Sequence, residues 1–207
     1  MEIRDQVLGQ IRESAAIKDR LATQALDEIA AIASAVLECL KSGGKLIAFG
    51  NGGSAADAQH LVAELVGRYR LERQSLPAIA LTSNSSSVTA IANDYGFEEV
   101  FARQVRALAK SEDVVLAIST SGNSPSVLRG ILAAKQIGAL TVGLTGQNGG
   151  QLRELVYLKL CVPSCSTPRI QEIHILVAHI ISEIIDTYFV TAAQSDFAND
   201  VRSSEGL

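Results

Sequence analysis

The stretch Ile47–Glu64, IAFGNGGSAADAQHLVAE, decides the fold. It reads as a short apolar strand, Lys45–Phe49, then a glycine turn, Gly50-Asn51-Gly52-Gly53, then an alanine-rich helix opened by Ser54. That order aims backbone N–H groups and a positive helix end at the space beyond the strand, where anions and hydroxyls bind well. His60 and Glu64 stand at i and i+4, so both project from one face of the helix, and Asp57 can share that face. Each feature alone is commonplace: glycine turns follow many strands, and a His/Glu pair is usually a solvated helix pair. Their meeting in one strand–turn–helix unit is what points to a site. GNGGSA has neither the dinucleotide-binding nor the P-loop spacing.

The same layout recurs downstream. Val114–Ile118 is a fully apolar run, as buried parallel strands are. It leads into Ser119-Thr120-Ser121-Gly122-Asn123-Ser124-Pro125, in which Ser124 is a natural N-cap and Pro125 a natural first helical residue. Hydroxyls of Ser119, Thr120, Ser121 and Ser124 converge on one helix start, with no Arg or Lys in the turn. An anion here would be held by dipoles and hydroxyls, which predicts a phosphate site.

Working outward, residues 2–41 read as helix, broken near Lys18–Asp19 and stopped by Gly43-Gly44. Apolar residues Leu21, Ala25, Ile29, Ile32, Val36 and Leu40 keep the helical period, so this segment must cover the core or another subunit. Pro77–Leu81 is a second strand, followed by a short helical piece, the polar Asn93-Asp94-Tyr95-Gly96, and a helix over Phe97–Lys110. Helix Ser126–Ile137, strands Leu140–Leu144 and Val156–Val162, and a closing helix Arg169–Tyr188 complete the pattern. Strands alternating with helices predict an α/β three-layer sandwich: one parallel sheet, helices on both faces, ligands beyond the C-terminal strand ends. The expected organisation is a helical segment over 1–42, a ligand-binding unit over 43–192 and a polar tail over 193–207 that frays.

With 207 residues, 47% hydrophobic and 19% charged, the composition is that of one globular domain with a sizeable core. A net charge of −4 argues against nucleic acid as a partner. The N-terminus shows no apolar signal-peptide core, and the apolar run Ile173–Ile185 is interrupted by His174, His179, Ser182 and Glu183, which predicts a buried helix rather than a membrane span. Three cysteines, Cys39, Cys161 and Cys165, are an odd, sparse set that fits a reducing cytoplasm.

The GNGGSAADAQH element, the STSGNS turn and the closing helix RIQEIH…H, together with LPAIALT and NDYGFE, resemble the sugar isomerase (SIS) domain from about Gly43 to Ile185. The resemblance implies a five-stranded, flavodoxin-like parallel sheet, a homotetramer and a cytoplasmic enzyme acting on a phosphosugar. The resemblance is close to a branch that converts sedoheptulose 7-phosphate to D-glycero-D-manno-heptose 7-phosphate, the first step towards activated heptoses, which implies that reaction here. Carried over residue by residue, it places Ser119, Thr120, Ser121 and Ser124 on the phosphate. Asn51, Gly52, Gly53 and Ser54 would lie along the sugar, with Glu64, Arg68, Asn93, Asp94 and Gln171 also at the substrate. It implies one Zn2+ held by His60, Glu64, Gln171 and His179. Gln171 and His179 lie about 12 Å apart along a helix and about 80° around it, so geometry alone does not pair them; sites shared between subunits are one expected outcome. Aldose–ketose isomerisation needs a group that takes and returns one proton and a partner for the oxygens. Glu64 and His179, with Asp57 beside them, are the catalytic candidates. Some relatives carry Asp just before Arg-Ile-Gln, where this chain has Pro168. Two alternatives use the same fold: a non-catalytic binding protein like the DnaA initiator-associating protein, and an isomerase of another phosphosugar. A protein without isomerase chemistry has no need of His60 together with Glu64.

Overall fold

A computed structural model describes residues 2–204, and the side-chain surroundings of residues 2–194. In chain order the elements are α1 Ile3–Gln24, α2 Leu26–Lys41, β1 Leu46–Gly50, α3 Gly53–Val66, β2 Ala78–Ala80, α4 Ser85–Tyr95 and a 3-10 turn Phe97–Glu99. There follow α5 Val100–Leu108, β3 Val114–Ser119, α6 Pro125–Ile137, β4 Leu140–Thr145, α7 Leu152–Leu155, β5 Leu158–Cys161 and α8 Thr167–Ser204. The five strands form one sheet in the order β2-β1-β3-β4-β5, every neighbouring pair parallel. This is the flavodoxin-like order, and its switch point lies between β1 and β3, so a crevice opens where the turns after these two strands meet.

The strand sequences explain the layers. Along β1, Leu46 and Ala48 point to a core shared with α1, α2, α3 and α8, while Ile47 and Phe49 point to a second core under α5, α6 and α7. Phe49 stacks on Phe101 of α5 at 4.7 Å between ring centroids. β1 and β3 are buried along their whole lengths, which is why they read as unbroken apolar runs.

Several expected boundaries move. The N-terminal helix breaks at Ala25, not near Lys18–Asp19; Ala25 has φ −140° and is buried. The break lets the stripe of α1 (Ile17, Leu21) and that of α2 (Ile29, Ile32, Val36) reach the same core. Asn93 and Asp94 lie in the last turn of α4 rather than in a loop. The short α7 has too few residues to show a helical period in the sequence. The closing helix starts at Thr167 and stays helical to Ser204, so the expected frayed tail from Gln194 is helical in backbone as far as that residue, and positions 205–207 lie outside the described residues.

The stretch Thr167–Gln194 is long and apolar enough to cross a membrane by length and composition. Its stripe of Ile170, Ile173, Val177, Ile181 and Ile185 is instead covered by the core it shares with α1, α2 and α3, and His174, Ser182 and Asp186 are buried along the same helix.

Candidate active site

Two turns face each other at the switch point. The glycine turn after β1 turns through Gly52, at φ +56°, into α3. Asn51 ties it to the second turn by donating its side-chain amide to Ser126 Oγ at 3.0 Å, at the start of α6. The serine turn after β3 holds Ser119 and Ser124 with hydroxyl oxygens 3.3 Å apart. Ser124 is the N-cap residue and Pro125 the first helical residue, as expected, but the Ser124 hydroxyl turns to Ser119 instead of capping α6. Ser121 accepts the Asn123 N–H at 3.2 Å and is exposed, with Thr120 and Ser124 half-buried. The helix end and hydroxyls therefore face outward from the sheet, an uncharged arrangement of the kind that suits an anion. Ser54, expected along the sugar, is buried under the glycine turn with its N–H bonded to Asn51 O at 3.0 Å.

A second cluster lies further along α3. His60 Nε2 and His179 Nε2 stand 3.0 Å apart, and His60 Nε2 is 3.0 Å from Glu64 Oε1. One donor atom from each of these three residues lies within 4.8 Å of the others. α3 and α8 pack side by side running in the same direction: Gln171 meets Gly53, His179 meets His60, and Asp186 meets the chain just past α3. The His60, Glu64 and His179 cluster thus closes within one chain. The Gln171 amide covers Gly53 so closely that a Cβ there would overlap it. Gln171 therefore sits at the glycine turn, and among His, Cys, Asp and Glu of the described residues the close triad is His60, Glu64 and His179. From Gly53 to His60 the helix rises about 10 Å, which separates the glycine turn from the cluster.

The donor set suits zinc. Neighbouring ligands on a tetrahedral zinc with bonds of about 2.0–2.2 Å are about 3.3 Å apart, close to both 3.0 Å spacings found here. Two imidazoles and a carboxylate also leave a position open, as catalytic rather than structural zinc sites do. Asp57, one turn before His60, is half-buried with Oδ2 lacking a hydrogen-bond partner; burial pushes its carboxyl up, and the charge of His60 pulls it back down.

Other expected residues lie apart from the His/Glu cluster. Arg68 is exposed beyond the far end of α3 and pairs with Glu72 at 3.4 Å; α3 runs away from the serine turn, so its last residues lie far from a phosphate bound there. Asn93 and Asp94 bond to each other at 2.8 Å on the exposed end of α4, outside the His/Glu cluster. Sequence reasoning missed Tyr69, whose ring stacks on His179 at 5.4 Å with 25° between planes. The signal was an aromatic residue between Arg68 and Arg70 immediately after a helix carrying a His/Glu pair.

A flavodoxin-order sheet with a hydroxyl-lined turn at its switch point and a His/Glu cluster along α3 is the layout of an α/β domain that holds a small polar ligand beyond its strand ends. The SIS domain family matches residues 11–146. A phosphoheptose isomerase from a Roseiflexus species is 54% identical over 180 residues, covering 87% of this chain and 91% of that one. Among solved structures, the phosphoheptose isomerase GmhA of Neisseria gonorrhoeae superposes with a TM-score of 0.85 at 41% identity, over 90% of this chain and all of that one (100%). A phosphoheptose isomerase from Francisella tularensis gives 0.87 at 37% identity, again over 90% of this chain and 100% of that one. The chain belongs to the SIS domain family and, within it, to the phosphoheptose isomerases. It is an isomerase, and the non-catalytic alternative is set aside.

Proposed function

We propose that this enzyme interconverts sedoheptulose 7-phosphate and D-glycero-D-manno-heptose 7-phosphate through an enediol, in the cytoplasm. The observation that carries the reading is the facing pair of imidazoles with Glu64 at 3.0 Å from His60, two helical turns along α3 from the glycine turn. Ser119, Thr120, Ser121 and Ser124 hold the phosphate; Asn51, Gly52 and Gly53 line the sugar, with Gln171 at the turn and Asn93 and Asp94 reached from α4. Glu64 takes a proton from C1 while His179 gives one to the C2 oxygen, forming the enediol. His179 then takes the proton of the C1 hydroxyl and Glu64 returns its proton to C2, so the enzyme ends as it began. Asp57, held above the usual carboxylate range by burial, is suited to backing His60.

Zn2+ fits His60, Glu64 and His179, with Gln171 as a fourth ligand implied by the resemblance alone; when bound it would polarise the substrate oxygens in place of the proton that His179 otherwise gives and takes, leaving the second Glu64 oxygen free to serve C1 and C2. We further propose a homotetramer, in which residues 1–42 serve assembly, 43–192 form the phosphosugar unit and the remainder is a tail.

The test is an assay of purified protein with sedoheptulose 7-phosphate, before and after chelation. Conversion is expected; it should fall on chelation and return with zinc while circular dichroism is unchanged. Ser121→Ala should raise the apparent KM by the loss of a hydrogen bond to a charged group, worth about 1.5–3 kcal/mol. Faster turnover of another phosphosugar would overturn the substrate, and full activity in metal-free protein would remove zinc.

A further inference from the structure

The segment between α3 and β2 has no regular structure, yet it is strapped to α8 by a buried charge pair. Asp186 Oδ2 accepts the Arg70 and Leu71 N–H groups at 2.8 and 2.9 Å, and Asp186 Oδ1 accepts Arg73 Nε at 2.8 Å. Both side chains of the Arg73–Asp186 pair are 1% exposed. The same guanidinium donates to the carbonyls of Glu64 (2.7 Å) and Leu65 (2.9 Å), the last turn of α3. Arg70 adds an outer pair with Glu183 at 3.0 Å.

Asp186 lies seven residues after His179, two helical turns along the same face of α8. The strap therefore fixes α8 against α3 in the register that brings His179 opposite His60. It also carries Tyr69, the residue before Arg70, over the His179 ring. His179 then has its Nε2 edge set by His60 and one face covered by the phenol ring.

We infer that Tyr69 is a positioning residue: its ring, anchored through Asp186, holds the His179 imidazole in the orientation that lets Nε2 work with His60 and Glu64. An imidazole on a helix swings about two side-chain torsions, and outer partners that stop such motion set both ligand geometry and reactivity. The contact is made by the ring face, so the phenol hydroxyl is dispensable. The inference rests on the reading of His179 as a working group in this site.

The experiment compares Tyr69→Leu and Tyr69→Phe with the wild type. Zinc affinity is read by competition with a chromophoric chelator, and kcat and KM are measured separately with sedoheptulose 7-phosphate. Tyr69→Leu should bind zinc about tenfold more weakly and lose kcat by a similar factor, with KM within twofold. Tyr69→Phe should restore both. A structural role alone would lower the melting temperature and leave the kcat and zinc values of the folded protein unchanged. If Tyr69→Leu matches the wild type in both readouts, the inference fails; so it does if Tyr69→Phe is as impaired as Tyr69→Leu. Should the wild type bind no zinc, the zinc assignment fails and the split between kcat and KM decides the role of Tyr69. If Tyr69→Leu does not fold, Tyr69→Met, which keeps an apolar side chain of similar length without a ring face, takes its place under the same expectations.

Discussion

His174 shows how one buried side chain makes the molecule sensitive to acid. It is fully buried in α8, its Nε2 lies 3.3 Å from Thr145 O, and its Nδ1 has no hydrogen-bond partner. Burial lowers its pKa from 6.5 to about 4, against the smaller opposing effect of the bond to Thr145. The unfolded chain binds a proton at this position below about pH 6.5 and the folded chain does not until about pH 4, so stability falls as pH drops through that window. The whole window is worth up to about 3 kcal/mol from this group. Urea unfolding at a series of pH values from 7.5 to 4.5 should show this loss, and His174→Gln should flatten it. Equal slopes for the two proteins would show that His174 is not the group responsible. His60 and His179, only five residues beyond His174 on α8, sit in the half-open cluster instead, so three histidines of one chain serve two different ends.

Among the elements, the serine turn depends most on a single backbone position. Gly122 has φ +66°, and a Cβ there would overlap the backbone at Gly149 and Gly150 in the loop after β4. Gly122 also accepts the Leu152 N–H at 2.9 Å, so the turn leans directly on the β4–α7 loop. Gly122→Ala combines a strained φ with overlap against rigid backbone. Several kcal/mol of stability should be lost, or the turn should open, since backbone strain at such a residue alone costs about 1–3 kcal/mol. Thermal unfolding and substrate affinity measured on the same preparation would separate the two outcomes, and a variant normal in both would contradict the packing described. α3 and α8 make a different kind of pair: they run in the same direction, which spaces Gln171, His179 and Asp186 along α3 in step with Gly53, His60 and the strap beyond it. An antiparallel pairing would have put Asp186 at the glycine turn.

At the scale of the whole molecule, apolar surface remains uncovered in one chain. Ile3, Val7 and Ile11 form an i, i+4 stripe on α1 that is 79%, 53% and 62% exposed. A groove of about 300 Å³ lined by Leu21, Leu26, Ile29, Leu176, Ile180 and Ile184 opens between α1, α2 and α8. Such surfaces mark contacts between copies of a chain. If the proposed tetramer uses these surfaces, sedimentation should show it for the wild type, and Val7→Glu combined with Ile11→Glu should shift it to smaller species while circular dichroism stays helical. A wild-type species of 21.9 kDa at micromolar concentration would overturn the assembly.

The amino-acid sequence by itself determined the layers, the parallel sheet and the two turns at the strand ends. Each rests on local signals: apolar runs of strand length, glycines and hydroxyls directly after them, and Ser124-Pro125 at a helix start. His60 and Glu64 were legible as a pair for the same reason, since one helical turn brings them together. Only the tertiary structure decided that His179 joins them. That contact spans 119 residues and depends on the direction and register of α8, which the buried Arg73–Asp186 pair holds. The same long-range placement turns Arg68 to solvent, buries Ser54, lays Gln171 on Gly53 and brings Tyr69 over an imidazole. Periodicity says which face of a helix is apolar, whereas which residue of another helix arrives opposite depends on packing between elements far apart in the chain.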